Sequence, residues 1–186
     1  QMCIRDRIMK AIVFLLTSIM LIFAGCKTQQ DPLKAAAEEA EQKMWYEKAV
    51  QALNDREFVL EAERIDFKNG RFAYVTANTN FISMHGDKAT IQMAFNSPYA
   101  GPNGIGGITV DGRASNVKMQ TDKNGNVIFS MTVQGAAVSA TVTLRLTNGT
   151  NQCNATVNPN FNSNTINFRG ELYQEADSNV YKGRSL

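Results

Sequence analysis

Hydrophobic residues change their spacing once along this chain. Between Pro32 and Leu53 they recur every three or four positions, with glutamate and lysine on the other side, which predicts one amphipathic helix over residues 31–54. Asp31 and Pro32 suit its first turn, because aspartate caps free amides and proline needs no hydrogen-bond acceptor there. From Phe58 onward the period falls to two, which is typical of strands.

Residues 55–186 are therefore predicted to form a mainly β, antiparallel domain of about eight or nine short strands. Glycine-containing turns separate segments rich in β-branched and aromatic residues. Closure into a barrel and division into a sandwich both fit this pattern. The expected strands are Phe58–Ile65, Phe72–Ala77, Phe81–Met84, Ala89–Phe95, Ile108–Met119, Val127–Val133, Val138–Leu146, Cys153–Val157 and Ile166–Tyr173.

Alternation also predicts which side chains face the core. Val127, Phe129, Met131 and Val133 form one inward row, and the polar residues between them, such as Ser130 and Thr132, face water or line a cleft. In the strand that begins at Ile108 the phase of the alternation shifts, so we expect a β-bulge near Ser115-Asn116.

The N-terminal segment has the parts of a bacterial lipoprotein signal. Residues 1–8 resemble a translated sequencing adapter, so we take Met9 as the start and residues 9–25 as the signal peptide. The apolar run Ala11–Phe23 has thirteen residues, whereas a membrane-spanning helix needs about 20. Cleavage is expected between Gly25 and Cys26. The Cys26 thiol would carry the lipid, and residues 26–30 would form a polar tether.

Charge and composition exclude some classes of partner. Without the first 25 residues, which hold three of the 19 basic and one of the 17 acidic residues, the chain has sixteen of each. No cluster of lysine and arginine remains, so nucleic acid is not an expected partner.

Residues that could support catalysis or bind a metal are few. His85 is the only histidine and lies in a predicted hairpin turn, where a surface position is expected. Cys153 has no disulfide partner once Cys26 is lipidated, and its strand position predicts a small buried hydrophobe. One histidine and one cysteine make no zinc site. We therefore expect neither an enzyme, a metal nor a cofactor.

A long connection is the first candidate for contact with a ligand or partner. Asn96–Gly107 combines glycine and proline with Tyr99 and Asn103, and functional contacts concentrate on loops held by rigid scaffolds. A plain surface connection, with Tyr99 covering the core, is the alternative. The second candidate is Trp45, whose helix face serves either for packing or for docking.

Four stretches of the chain form a combination that is characteristic of a known family. They are Asn54–Ala62, Asn78–Phe81, Gly101–Gly112 and Tyr181–Leu186. Together they resemble the Bacteroidetes lipoprotein family known as domain of unknown function 4251. The resemblance covers nearly all of the chain after Cys26 and implies a cell-envelope lipoprotein with an N-terminal helical segment and a β domain. It implies no catalytic residues.

We expect a lipid-anchored protein of the bacterial cell envelope, attached to the membrane through Cys26. Lys27–Gln30 lacks the acidic cluster of surface-export signals, which favours the periplasmic face of the outer membrane. Two roles fit: a module that binds a small ligand or a peptide, and a structural lipoprotein that docks another envelope protein. A cavity lined by Phe, Tyr and Met favours the first, and an exposed apolar patch favours the second.

Overall fold

A computed structural model describes residues 32–95, 101–160 and 164–186. In these ranges helix α1 spans Pro32–Asp55 and is followed by nine strands, so the predicted helix and all nine predicted strands are confirmed. The Asp31 cap lies outside the described residues. The strands are β1 Glu57–Phe67, β2 Phe72–Tyr74, β3 Phe81–His85, β4 Lys88–Ala94, β5 Gly107–Thr121, β6 Val127–Gly135, β7 Ser139–Leu146, β8 Gln152–Pro159 and β9 Ile166–Gln174.

Strand β1 closes the sheet into a barrel. Each strand from β3 to β8 pairs antiparallel with the next, and β1 pairs with β3 through Glu57–Glu61 and with β9 through Phe58–Phe67. The described residues thus form an eight-stranded closed barrel, with the short β2 added beside the second half of β1. The choice between barrel and sandwich is settled in favour of the barrel.

Two bulges let long strands turn around the barrel. The predicted bulge in β5 is confirmed, because the pairing with β6 shifts between Ser115 and Lys118 and Asn116 has a φ of 52°. Strand β1 contains a second bulge between Ala62 and Arg64, which the alternation did not predict. After this bulge Ile65 and Phe67 face inward in place of the even-numbered positions.

Hydrophobic side chains fill the barrel. The inward row of β6 is confirmed, with Phe129 and Met131 each 1% exposed in the core cluster. Phe129 packs edge to face against Phe58, with ring centroids 5.4 Å apart. Ser130 and Thr132 are only partly buried, on the outer face of the wall, so they do not line an interior cleft.

Helix α1 closes one end of this barrel. Ala49, Ala52 and Leu53 are at most 1% exposed and belong to the same buried cluster as the strands. The Tyr46 hydroxyl donates a hydrogen bond to the carbonyl oxygen of Gly125, in the turn between β5 and β6, at 3.3 Å. The predicted packing of the helix on the β domain is therefore found at this "helix end" of the barrel.

The antiparallel order also defines the other end. Strands β1, β4, β6 and β8 finish there and β5, β7 and β9 begin there, so Phe67, Gly107 and Ile166 lie at what we call the "open end". In the described part of the chain, no helix has the length and hydrophobicity needed to cross a membrane.

Candidate functional site

Of the residues predicted to act in anchoring or contact, Asn103 and Trp45 lie in the described part of the chain. Gly25, Cys26 and Tyr99 fall outside the described residues. Asn103 is described and is only 2% exposed. Its amide nitrogen donates to Met93 O at 3.1 Å and to Thr109 Oγ1 at 3.3 Å, and its amide oxygen accepts from the backbone N–H groups of Ile105 and Gly107. Asn103 thus organises its own loop, and its contact with a partner stays a prediction.

Asn103 belongs to a buried polar network on the outer wall of β4 and β5. The centre of this network is Gln92, which is fully buried. Gln92 Nε2 donates to the carbonyl oxygens of Thr79, at 3.0 Å, and of Tyr181, at 2.7 Å. Gln92 Oε1 accepts from Thr109 Oγ1 and from the Gly183 N–H, both at 2.8 Å. All the hydrogen-bonding capacity of this amide is used.

The network holds the C-terminal segment, Ser178–Leu186, against the barrel. Backbone N–H groups of Tyr181, Arg184 and Leu186 donate to carbonyl oxygens of Asn78, Asn103 and Thr109, respectively. Lys182 Nζ lies 2.6 Å from Asp111 Oδ2. Partial burial raises the pKa of Asp111, but hydrogen bonds from Lys182 and Thr90 outweigh it and leave this pKa below its ordinary value. Three of the four stretches that resemble the family are therefore in contact around Gln92. They are Asn78–Phe81, Gly101–Gly112 and Tyr181–Leu186.

The histidine and the cysteine have structural surroundings. His85 ends β3 and its Nδ1 lies 2.7 Å from Glu175 Oε2, and the hydrogen bond that the protonated ring donates to Glu175 raises the histidine pKa. The predicted surface position is confirmed by its 65% exposed side chain. Cys153 is 1% exposed, as predicted, and burial raises the pKa of its thiol to about 12. Within the described residues, no group of three or more metal-ligating side chains occurs.

Trp45 packs onto the barrel instead of projecting freely. Its ring meets Tyr173 of β9 edge to face at 5.6 Å, and Lys48 Nζ lies 4.8 Å from its centroid. A polar cleft of about 330 Å³ lies beside it, lined partly by Glu41, Asn151 and Glu171. Burial, and then the adjacent Glu171, raise the pKa of Tyr173. The Tyr173 hydroxyl, which lines this cleft, is already hydrogen-bonded to Glu171.

The open end presents the larger cavity, of about 630 Å³. We call it the "mouth". Phe67 and Ile166 contribute its apolar wall, and both also pack against the barrel core. The ring of Phe67 meets that of Phe95, just after β4, with centroids 5.9 Å apart. The polar lining consists of Lys68, Asn69, Asn164 and Thr165.

The mouth arises from the ends of two neighbouring strands. Phe67 is the last residue of β1 and pairs with Ile166, the first residue of β9, so both inward side chains stand above the filled core. The hairpin turn after Phe67 carries Lys68 and Asn69 to the rim, where Asn69 Oδ1 accepts a hydrogen bond from the Arg71 N–H at 3.1 Å. An apolar wall with a few polar groups at its rim is the usual composition of a small-molecule site.

Exposed aromatic rings occur on the outer face of β2. Phe72 is 53% and Tyr74 is 77% exposed, and their rings meet edge to face at 5.7 Å. The guanidinium carbon of Arg64 lies 4.1 Å from the centroid of the Phe72 ring. This pair was not predicted as a site, although its alternation with Ala73 placed both rings on one face of a strand.

Comparisons with known proteins agree with this architecture. A family model described as domain of unknown function (DUF4251) matches residues 40–172. A crystal structure of a DUF4251 family protein from Bacteroides eggerthii DSM 20697 is 49% identical in sequence and superposes with a TM-score of 0.67. The match covers 80% of this chain and 99% of that one. No curated protein matches the sequence.

Proposed function

We propose a binding role for this chain, which belongs to the family described as domain of unknown function (DUF4251). The role is that of a non-catalytic module on the cell envelope that takes up the apolar part of a small ligand or of a peptide. One observation carries the proposal: an open cavity of about 630 Å³, walled by Phe67 and Ile166, lies above a barrel whose interior is otherwise filled. Cavities of roughly 300–1,000 Å³ with such a lining are typical of ligand sites.

The filled interior argues for the mouth as the binding position. Small barrels that hold ligands inside leave space between their inward side chains. Here Phe58, Phe129 and Phe168 are at most 1% exposed within one cluster that runs to the helix end. A ligand would therefore sit at the mouth and not along the barrel axis.

Phe67→Ala should weaken binding of a neutral apolar probe, 1-N-phenylnaphthylamine, by about tenfold, because a buried phenyl contact contributes about 1.5–3 kcal/mol. Fluorescence titration measures this. Phe72→Ala is the matched control, since it removes a phenyl ring from the outer face of β2. Equal affinities of wild type and Phe67→Ala, in a variant that melts cooperatively, would contradict the proposal.

The exposed Phe72–Tyr74 pair favours a second candidate function, the docking of another envelope protein. Exposed aromatic residues are enriched where proteins meet. The same variants separate the two roles in protein purified from its host. Native mass spectrometry should find a retained small molecule that Phe67→Ala loses, whereas loss of a copurifying protein in Phe72→Ala alone would support docking.

The proposed function also includes attachment to a membrane through a lipid anchor. A lipid on Cys26, at the end of the polar tether, would attach the module to the periplasmic face of the outer membrane. This part rests on the small residues and apolar run that precede Cys26 and on the absence of acidic residues from Lys27–Gln30.

Cys26→Ser should leave an unprocessed precursor, because only the thiol accepts the lipid and cleavage follows lipidation. Detergent-phase partitioning and the mass of the N-terminal peptide measure this. Cys153→Ala is the control for loss of a thiol, and it should be processed normally. Normal cleavage and partitioning of Cys26→Ser would exclude the anchor, and rapid protease digestion of the wild type on intact cells would exclude the periplasmic face.

A further inference from the structure

We propose that the ligand of the mouth is an amphipathic anion, with an alkyl or aryl group against Phe67 and Ile166 and a carboxylate or phosphate beside Lys68. This inference rests on the proposed function and adds the chemical class of the ligand. It is carried by the distribution of charge around the open end together with the lining of the cavity.

The described connections at the open end are almost without charge. They comprise residues 68–71, 95, 101–106, 136–138, 160, 164 and 165, and the only charged residues among these are Lys68 and Arg71, both basic. Lys68 lines the cavity directly. Among the described residues, no acidic side chain forms an ion pair with either base.

The nearest acidic residue on the barrel wall is already neutralised. Asp66 Oδ1 lies 2.6 Å from Arg64 Nη2, and Asp66 Oδ2 lies 2.5 Å from Arg169 Nε. The other acid on the second half of β1 is Glu63, at the bulge. This side of the open end thus has four basic residues, Arg64, Lys68, Arg71 and Arg169, against two acidic ones, Glu63 and Asp66.

The apolar and the polar residues that line the cavity lie in different places, as an amphipathic ligand requires. The apolar wall lies inside the barrel rim, where Phe67 and Ile166 pack against the core. The polar lining lies at the rim, and the amides of Asn69 and Asn164 and the hydroxyl of Thr165 flank Lys68 there. The Thr165 hydroxyl donates to Asn158 Oδ1 at 2.7 Å, which leaves its oxygen as an acceptor only, so the donors to an anion at this rim include Lys68 and the amide nitrogen of Asn69. Donors around a cation favour an oxyanion over a cationic or neutral headgroup.

Competition against the neutral probe tests the class of ligand. Dodecanoate and dodecyl phosphate, below their micelle concentrations, should displace 1-N-phenylnaphthylamine about fivefold more tightly than dodecanol or dodecyltrimethylammonium, as expected for one exposed charge pair. The two anions distinguish a carboxylate from a phosphate headgroup. The preference should weaken as salt is added.

Lys68→Glu should abolish this preference, and Lys68→Gln should reduce it. Lys123→Glu, at an exposed turn of the helix end, is the matched control and should retain the full preference. Equal displacement by the cationic and anionic amphiphiles, or an unchanged preference in Lys68→Glu, would overturn the anionic class while the proposed function stands. Failure of the neutral probe itself to bind the wild type would overturn the proposed function as well.

Discussion

Met131→Asp should lower the free energy of unfolding by about 4 kcal/mol, because it places an unpaired carboxylate in the filled interior of the barrel. Met131 is 1% exposed and lies in the inward row of β6, opposite Val142 of β7. No basic side chain belongs to the cluster around it in the described residues. Urea denaturation followed by circular dichroism measures the loss.

Ser130→Asp is the matched control for this substitution. Ser130 is the preceding residue of β6, its side chain lies on the outer face, and Lys118 of β5 pairs with it. Its effect should stay within about 0.5 kcal/mol. If Met131→Asp does not express in folded form, Met131→Ala should still cost about 2–4 kcal/mol through the cavity it leaves. Wild-type stability in both Met131 variants would show that this face of β6 is not the core.

The strands could be predicted from sequence because one face of each is buried. Inward positions of β6, such as Phe129 and Met131, must be apolar, so the alternation of apolar and polar residues indicates which face of the strand is buried. The bulge in β5 was visible for the same reason, since the parity of the apolar positions shifts around Asn116. The bulge in β1 was missed because Val59 is apolar as well as Phe58 and Leu60, so the alternation that precedes the shift of parity from Ala62 to Ile65 is not clear.

Barrel closure could not be predicted in this way. It depends on β1 pairing with both β3 and β9, and the pairing with β9 joins residues that are about a hundred positions apart, such as Asp66 and Asn167. Alternation specifies the face of a strand and not its neighbour. Both a barrel and a sandwich satisfy the same inward rows.

The mouth depends on the same long-range pairing. Phe67 and Ile166 were recognisable as residues near the ends of predicted strands, but only closure brings them together.

The sequence also predicted a contact site in the loop Asn96–Gly107. Asn103 is predicted to contact a ligand or partner, and that contact stays a prediction. The structure adds that its side chain is saturated by hydrogen bonds to its own loop and to strands β4 and β5. A short polar side chain among glycines is as typical of an internal loop support as of a binding residue.

The network around Gln92 was not predicted, because nothing in the local pattern separates a buried outward-facing glutamine from a solvated one. Gln92 occupies the polar position between Ile91 and Met93, where exposure to water is the ordinary expectation. Its burial comes from Ser178–Leu186, a segment without helical or strand periodicity. The one available signal was that Tyr181–Leu186 belongs to the stretches that resemble the family.

Gln92→Leu should lower the free energy of unfolding by about 3 kcal/mol and release the C-terminal segment. The substitution removes hydrogen-bond partners from two carbonyl oxygens, a hydroxyl and the Gly183 N–H in a fully buried site, and an unsatisfied buried group costs about 1–3 kcal/mol. Hydrogen exchange of the Gly183 and Arg184 amides should accelerate far more than that of the β6 amides. Gln120→Leu, on the exposed end of β5, is the matched control.

A variant that ends at Val180 distinguishes release of the segment from simple damage to the core. It lacks Tyr181–Leu186, so it removes the Tyr181 carbonyl and the Gly183 N–H that bond to Gln92 and leaves Gln92 itself in place. If the network acts as a unit, adding Gln92→Leu to the shortened chain should cost clearly less than in the full chain, because partners in one hydrogen-bond network are not additive. Strictly additive losses, or full exchange protection of Gly183 in Gln92→Leu, would show that the C-terminal segment is held without Gln92.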